Sequence, residues 1–175
     1  MQSRTIKINR APVMTLWAAV VARHLGFTWD EALTMGRAVA GLNAHAKGLS
    51  LGLFQPTPRA LLAHRKDLKG RAKLHVDLLH RAVPVVRTPA GLRAASKGRP
   101  IEPRSVKAYL EGRFGDALGE VTAAMQKLAG SLPPGELAAR AYALYVKFRP
   151  SVPAGAAGWG AAGVLSVKAI ARAAD

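Results

Sequence analysis

The spacing of apolar residues changes twice along the chain, and this limits the folds that it can adopt. Over residues 11–48 apolar positions recur every three or four residues, as on one face of a helix. Between residues 73 and 95 they alternate every second residue, as in a half-buried strand, and after residue 103 the helical spacing returns. The sequence therefore predicts a mainly α-helical α+β fold: an N-terminal three-helix unit, a short antiparallel β-meander, then C-terminal helices.

Length and composition favour one compact domain. The chain has 175 residues, of which 50% are hydrophobic, so it can bury a core without covalent staples. We expect a single domain over residues 1–175, with sub-regions 1–58, 59–107 and 108–175. The absence of cysteine excludes disulfides, thiolate metal sites and cysteine nucleophiles, and suits a reducing compartment. A cytoplasmic location is expected.

The first apolar segment has two interpretations. Basic residues precede an apolar run at residues 11–22, which is the outline of a signal peptide. Its larger apolar side chains, however, share one helical face, and Pro12 and Gly26 suit the first turn of a helix and the position after its end. We therefore expect a folded helix, too short to span a bilayer. The residues on its face are Val13, Leu16, Trp17, Val20, Val21 and His24.

A capping box marks the start of the second helix. In Thr28-Trp29-Asp30-Glu31 the threonine hydroxyl can accept the backbone N–H of Glu31, while the glutamate reaches back to the N–H of Thr28. A break near Gly36 or Gly41 would crowd three helices together as in a helix-turn-helix, because each glycine disfavours helix by about 1 kcal/mol. The predicted buried stripe is Leu33, Gly36, Val39, Ala40 and Asn43.

A third helix is predicted from residue 57 to residue 69, thinly apolar and mostly basic. Three strands follow, near residues 73–78, 83–87 and 92–95, with turns near His80-Arg81 and at residues 88–91. Pro84 restricts the second strand to an edge or to its first residues. The order of three helices and a β-meander over residues 11–99 resembles a winged helix-turn-helix at the level of the fold. That resemblance implies a helix in the major groove and a strand loop on the DNA backbone.

Helices return after residue 103. The first lies between Pro103 and Gly115, and Asp116 is expected to cap the second. The third follows the Pro133-Pro134 pair, and a last turn of helix is expected at residues 166–173. The apolar face of the first is Val106, Tyr109, Leu110 and Phe114; that of the second is Leu118, Val121, Met125 and Leu128; that of the third is Leu137, Ala141, Leu144, Tyr145 and Phe148.

Charge is the feature that points to a partner. The formal net charge is +16, and residues 59–107 hold 13 of the 26 Lys and Arg. A cluster of this kind attracts polyanions, so we expect nucleic-acid binding. The same segment contains no Phe, Trp or Tyr for base stacking, which favours duplex DNA or structured RNA. The residues expected to contact phosphate are Arg59, Arg65, Lys66, Lys69, Arg71, Lys73, Arg87, Arg93, Lys97 and Arg99.

Other functions have weaker support. The alternatives are a protein-interaction module with an acidic partner, or a homodimer, through the C-terminal helices with Tyr142 and Tyr145, and an enzyme acting on an anionic substrate. No catalytic residue, cofactor, metal or membrane partner is predicted. His75 and Asp77 share a strand face but have too few carboxylates nearby for a metal site. Residues 158–163 fit G-x-G-x-x-G, but a proline-rich segment precedes them and the acid of a dinucleotide site is missing.

Overall fold

The computed structural model describes residues 4–50, 74–96, 98–152 and 163–174, with side chains as far as Asn43 in the first range. The mainly helical, mixed α+β fold predicted from the sequence is confirmed. The helices are α1 (Arg10–His24), α2 (Trp29–Ser50), α3 (Pro103–Phe114), α4 (Leu118–Gly130), α5 (Pro134–Phe148) and α6 (Val167–Arg172). The strands are β1 (Thr5–Ile8), β2 (Leu74–Leu78), β3 (Arg81–Thr88), β4 (Gly91–Ser96), β5 (Arg99–Pro100) and β6 (Gly163–Ser166).

Helix α1 lies at the centre of the core. Every residue from 12 to 22 is buried, not only those on the predicted face. The opposite face carries small residues such as Ala18 and Ala19, against which neighbouring helices can pack closely. A helix that is apolar all round must be covered on all sides, and here α2, α3, α4 and α5 pack against it. The indole N–H of Trp17 donates to the carbonyl of Ala141 on α5 over 2.9 Å. The N-terminal and C-terminal helices thus share one core.

Helix α2 packs very closely against α1 at Gly36. A Cβ atom at this position would lie 2.2 Å from the carbonyl oxygen of Thr15 and 3.2 Å from the Cβ of Ala19. The whole predicted stripe of α2 is buried. The helix runs unbroken through Gly36 and Gly41, so neither glycine provides the turn of a helix-turn-helix. Gly36 has a low helix propensity, but its lack of a side chain allows α1 and α2 to approach closely.

We expect Gly36→Ala to destabilise the protein by about 2–3 kcal/mol, because the added methyl group meets a backbone carbonyl that cannot move aside. Gly41 is the matched control on the same helix, with open space where its Cβ would lie. Gly41→Ala should stabilise by about 0.5–1 kcal/mol through helix propensity alone. Urea denaturation followed by circular dichroism measures both, and equal effects of the two substitutions would contradict the close packing.

The predicted meander forms a sheet with strand order β2-β3-β4-β5, in which the short strand β5 is additional to the three predicted. The first turn joins Leu78 to Arg81 through two residues, Leu79 and His80, with φ of 49° and 62°. Two successive positive φ values are the geometry of a type I′ hairpin turn. The second turn closes at the predicted place, where Thr88 pairs with Gly91.

Strand β3 is not an edge strand, although Pro84 suggests one. Pro84 pairs with His75 of β2, whereas pairing with β4 begins only at Val85. The missing N–H of proline therefore lies where β3 has one neighbour, which is how a proline is tolerated inside a sheet. Pro84 thus lies in the first part of β3, before its pairing with β4 begins, which is the second of the two positions expected for it.

A second sheet, which the sequence analysis did not predict, joins the two ends of the described chain. Strand β1 pairs antiparallel with β6, with Thr5 opposite Ser166. Next to it, the guanidinium of Arg4 forms ion pairs with Asp116 at 2.6 Å and Glu120 at 3.2 Å. Asp116 is therefore not a helix cap as expected: it lies in a 3-10 turn before α4, and no side chain caps that helix.

The predicted C-terminal helices are confirmed in position and in most of their buried residues. Helix α3 begins at Pro103 and ends before Gly115, which has a φ of 58°. The Ser166 hydroxyl accepts the N–H of Ala169 and caps α6. Tyr145 is buried in the core, so it offers no surface to a second copy of the chain. Among the described helices, none is long and apolar enough to cross a membrane.

Candidate functional site

Side chains from the first turns of α2 cover the edge of strand β4 where no described strand pairs with it. The Glu31 carboxylate accepts the backbone N–H of Leu92 over 2.8 Å, and the Thr34 hydroxyl accepts the N–H of Ala94 over 2.9 Å. These N–H groups alternate along the strand and would otherwise lack partners. The sheet is therefore fixed against α2 by side-chain acceptors that act as a partial neighbouring strand.

Glu31 both caps the start of α2 and binds the backbone of strand β4. It forms the predicted capping box, accepting the N–H of Thr28 over 2.9 Å, while the Thr28 hydroxyl accepts the N–H of Glu31 over 3.2 Å. Its other carboxylate oxygen holds Leu92. The hydrogen bond from Thr28, then that from Leu92, lowers the pKa of Glu31, because both stabilise the ionised form. The sequence predicted the cap but not the contact with the sheet.

We expect Glu31→Gln to destabilise the protein by about 1–2 kcal/mol at neutral pH, because the amide offers only one acceptor oxygen to two donors. The native pKa of Glu31 lies below the ordinary glutamate value of about 4.3. The contribution is thus present above that value and disappears as the pH falls through the native pKa. Unfolding measured from pH 7 to pH 3 should show the two proteins converging in acid. A constant difference, or an equal loss in the exposed control Glu111→Gln, would contradict this.

A surface groove of about 750 Å³ opens where β4 meets the N-terminal turns of α2 and α3. Its cations come from different elements: Arg93 lies on β4, while Arg104 and Lys107 lie on α3. Two carboxylates share the lining, and one of them, Asp30, is held by Lys107 at 3.3 Å. The full lining is Asp30, Arg93, Glu102, Pro103, Arg104, Ser105, Lys107 and Ala108.

The start of α3 adds a second source of positive potential to the groove. Glu102 occupies the N-cap position with an extended backbone, but its side chain caps no N–H group, and Pro103 follows it. The first N–H groups of a helix carry a partial positive charge that favours anions. The Ser105 hydroxyl is turned to the carbonyl of Glu102, to which it donates over 2.8 Å.

Arg93 is the most deeply buried cation of the groove, with only 9% of its surface exposed. Its Nη1 donates to the carbonyl of Leu92 over 2.9 Å. No carboxylate among the described residues lies within ion-pair distance of its guanidinium. The charge of Arg93 adds to the backbone hydrogen bonds in lowering the pKa of Glu31, and Asp30 and Glu102 line the same groove. A guanidinium has five N–H donors, so most of the donors of Arg93 have no hydrogen-bond partner among the described residues.

Only part of the predicted phosphate-contacting set can be placed. Arg87 on β3 and Arg99 on β5 are exposed; Arg87 lies in the second predicted strand, whereas the strand that contains Arg99 was not predicted. Arg87 pairs with Leu92 and Arg93 pairs with Val86, so the side chains of the two arginines lie on opposite faces of the sheet. Arg93 was expected to be exposed, but it is buried. The predicted basic helix at residues 57–69 and the residues Arg59, Arg65, Lys66, Lys69, Arg71, Lys73 and Lys97 lie outside the described residues.

Sequence reasoning missed Arg104 and Lys107, although both lie within the basic segment. Both lie at the start of a helix, and no spacing rule connects them to Arg93 on a strand. The usable signal was Glu102-Pro103, because a proline at the first helical position marks a helix N-terminus and therefore an anion-attracting end.

A second basic cluster surrounds Tyr109 on α3. The guanidinium of Arg37 lies 4.6 Å from the centre of its ring, and that of Arg113 lies 5.5 Å from it. Burial raises the pKa of the Tyr109 hydroxyl, and the two arginines oppose this. The basic segment itself lacks aromatic residues, but this ring lies two positions beyond its end.

Other kinds of site receive no support from the residues that the structure describes. His75 and Asp77 are exposed and 3.9 Å apart, and in the described ranges no group of three or more His, Asp or Glu is arranged to hold a metal ion. No family model matches the chain, and neither a curated protein nor a solved structure is significantly similar to it. The groove is therefore interpreted from its own residues.

Proposed function

We propose that the protein binds nucleic acid, either duplex DNA or structured RNA, through the groove. The observation that supports this most is the convergence of Arg93, Arg104 and Lys107 from a sheet and a helix onto one groove. In a chain with a net charge of +16, such a groove attracts a polyanion. We expect the protein to act in the cytoplasm, without a catalytic step.

The exposed arginines of the sheet lie on its other face. Arg87 pairs with Leu92 and Arg99 pairs with Ser96, so their side chains share one face, whereas Arg93 pairs with Val86 and lies on the opposite face. Strand β5 leads within three residues to the start of α3. The groove is therefore formed by Arg93 and the start of α3, and Arg87 and Arg99 do not extend it.

Asp30 and Glu102 line the groove and offset part of its charge, with Asp30 paired to Lys107, but other acidic residues lie away from it. Asp116 and Glu120 are paired with Arg4, and Glu136 is paired with Arg140, all on other elements. Glu31 is engaged by two backbone N–H groups. Contacts of arginine and lysine with phosphate set affinity and orientation, and they do not read sequence.

We expect binding to fall steeply with salt. The three cations of the groove, Arg93, Arg104 and Lys107, predict a log–log slope near −2.7, or a loss of about 40-fold between about 50 and about 200 mM salt. Fluorescence anisotropy with labelled duplex DNA, hairpin RNA and single-stranded DNA measures this after co-purified nucleic acid has been removed. Absence of saturable binding to all three polymers at the lower salt concentration would refute the proposed function.

The groove's share is tested by charge reversal. Arg104→Glu with Lys107→Glu should weaken binding by at least about tenfold and reduce the salt slope by about 2. The control is Lys7→Glu with Lys127→Glu, which changes the net charge equally at exposed positions on β1 and α4. Equal losses in both double variants would mean that only the total charge matters, and that the groove is not the binding surface.

A further inference from the structure

We infer that the groove holds one phosphate group, and that Arg93 is the residue that binds it directly. This inference rests on the proposed function, since it assigns a position on the same surface to a phosphate of the bound nucleic acid. It goes further by distinguishing one buried, directional contact from the surrounding exposed cations.

First, Arg93 is buried with few direct partners. Charged groups are almost never buried without a partner, because removing a charge from water is unfavourable. Arg93 is nine-tenths buried, yet among the described residues its only hydrogen bond is to a neutral carbonyl, that of Leu92. Asp30 and Glu102 in the groove and Glu31 offset part of its charge without forming an ion pair with it. An anion in the groove would supply direct hydrogen-bond acceptors.

The second step is geometric. Arg93 lines the same groove as the first turn of α3, so the groove combines a planar, multi-donor cation with a helix N-terminus, and Glu102 and Asp30 share its lining. Arginine pairs with phosphate through two parallel hydrogen bonds, and helix N-termini favour the same anion. Arg104 and Lys107 on the first turns of α3 add charge at the rim.

The third step is rigidity. Both backbone groups of Leu92 are engaged, since its N–H donates to Glu31 over 2.8 Å and its carbonyl accepts from Arg93 over 2.9 Å. These contacts hold the arginine in place before any ligand arrives, which lowers the entropy lost on binding. Arg87 and Arg99 are exposed, without a comparable hydrogen bond to the described residues.

The test begins with inorganic phosphate alone. Phosphate should raise the Tm of the full-length protein above its value in chloride at equal ionic strength, and Arg93→Met should abolish that rise. The control is Arg23→Met, since Arg23 also donates to a backbone carbonyl, that of Phe27 at 3.5 Å, but lies exposed on α1. An equal phosphate effect in Arg93→Met and in the native protein would overturn the inference.

Nucleic-acid binding supplies the second measurement. Arg93→Met should weaken duplex binding by about tenfold or more and Arg93→Lys by less, because lysine keeps the charge but loses the bidentate geometry. If Arg93→Met does not fold, Arg93→Lys carries the test, with a reduced phosphate effect expected. A 5′-phosphorylated duplex that binds more tightly than its 5′-hydroxyl counterpart identifies a terminal phosphate, whereas equal binding identifies an internal phosphodiester.

The two proposals fail in different ways. Native protein that binds no nucleic acid but is stabilised by phosphate through Arg93 would refute the proposed function and keep the phosphate site. Native protein and Arg93→Met that bind nucleic acid equally, with the same salt slope, would keep the function and overturn the role of Arg93.

Discussion

The close approach of α1 and α2 is the constraint on which the rest of the structure depends. With Gly36 against the backbone of Thr15, the two axes are fixed in separation and register. Because α1 is buried on all sides, the C-terminal helices must complete its cover, and the indole of Trp17 ties it to α5. The direction of α2 then determines where its first turn meets the sheet, and thereby where the groove opens.

The contact between α2 and β4 links this helical packing to the geometry of the groove. A strand edge with open N–H groups needs acceptors, and Glu31 and Thr34 supply them from successive positions on one side of the helix. The sheet cannot slide along the helix without breaking both hydrogen bonds. The position of Arg93 relative to α3 therefore follows from a capping residue that also serves the sheet.

Features encoded within four or five residues were predictable from the sequence. The capping box at Thr28, the turn at Thr88 and the start of α3 at Pro103 were predicted at the observed positions, since each depends on local backbone chemistry. Pairings between distant segments were not. The β1–β6 sheet and the hydrogen bond from Leu92 to Glu31 join residues separated by 61 positions or more. The spacing of apolar residues along the sequence does not predict such contacts.

The same distinction applies to the candidate site. Charge density pointed to the segment that contains Arg93, but it could not show that Arg93 is buried and Arg87 and Arg99 are exposed, because neither charge nor alternation says what covers a face of the sheet. Burial changes the chemistry of an arginine: an exposed guanidinium keeps its hydration, whereas a buried one must exchange water for a partner. Asp30 and Glu102 in the groove and Glu31 beside it offset part of the charge of Arg93, but none of them forms an ion pair with its guanidinium. An anion from outside the chain would give the remaining N–H donors of Arg93 the direct partner that these carboxylates do not provide.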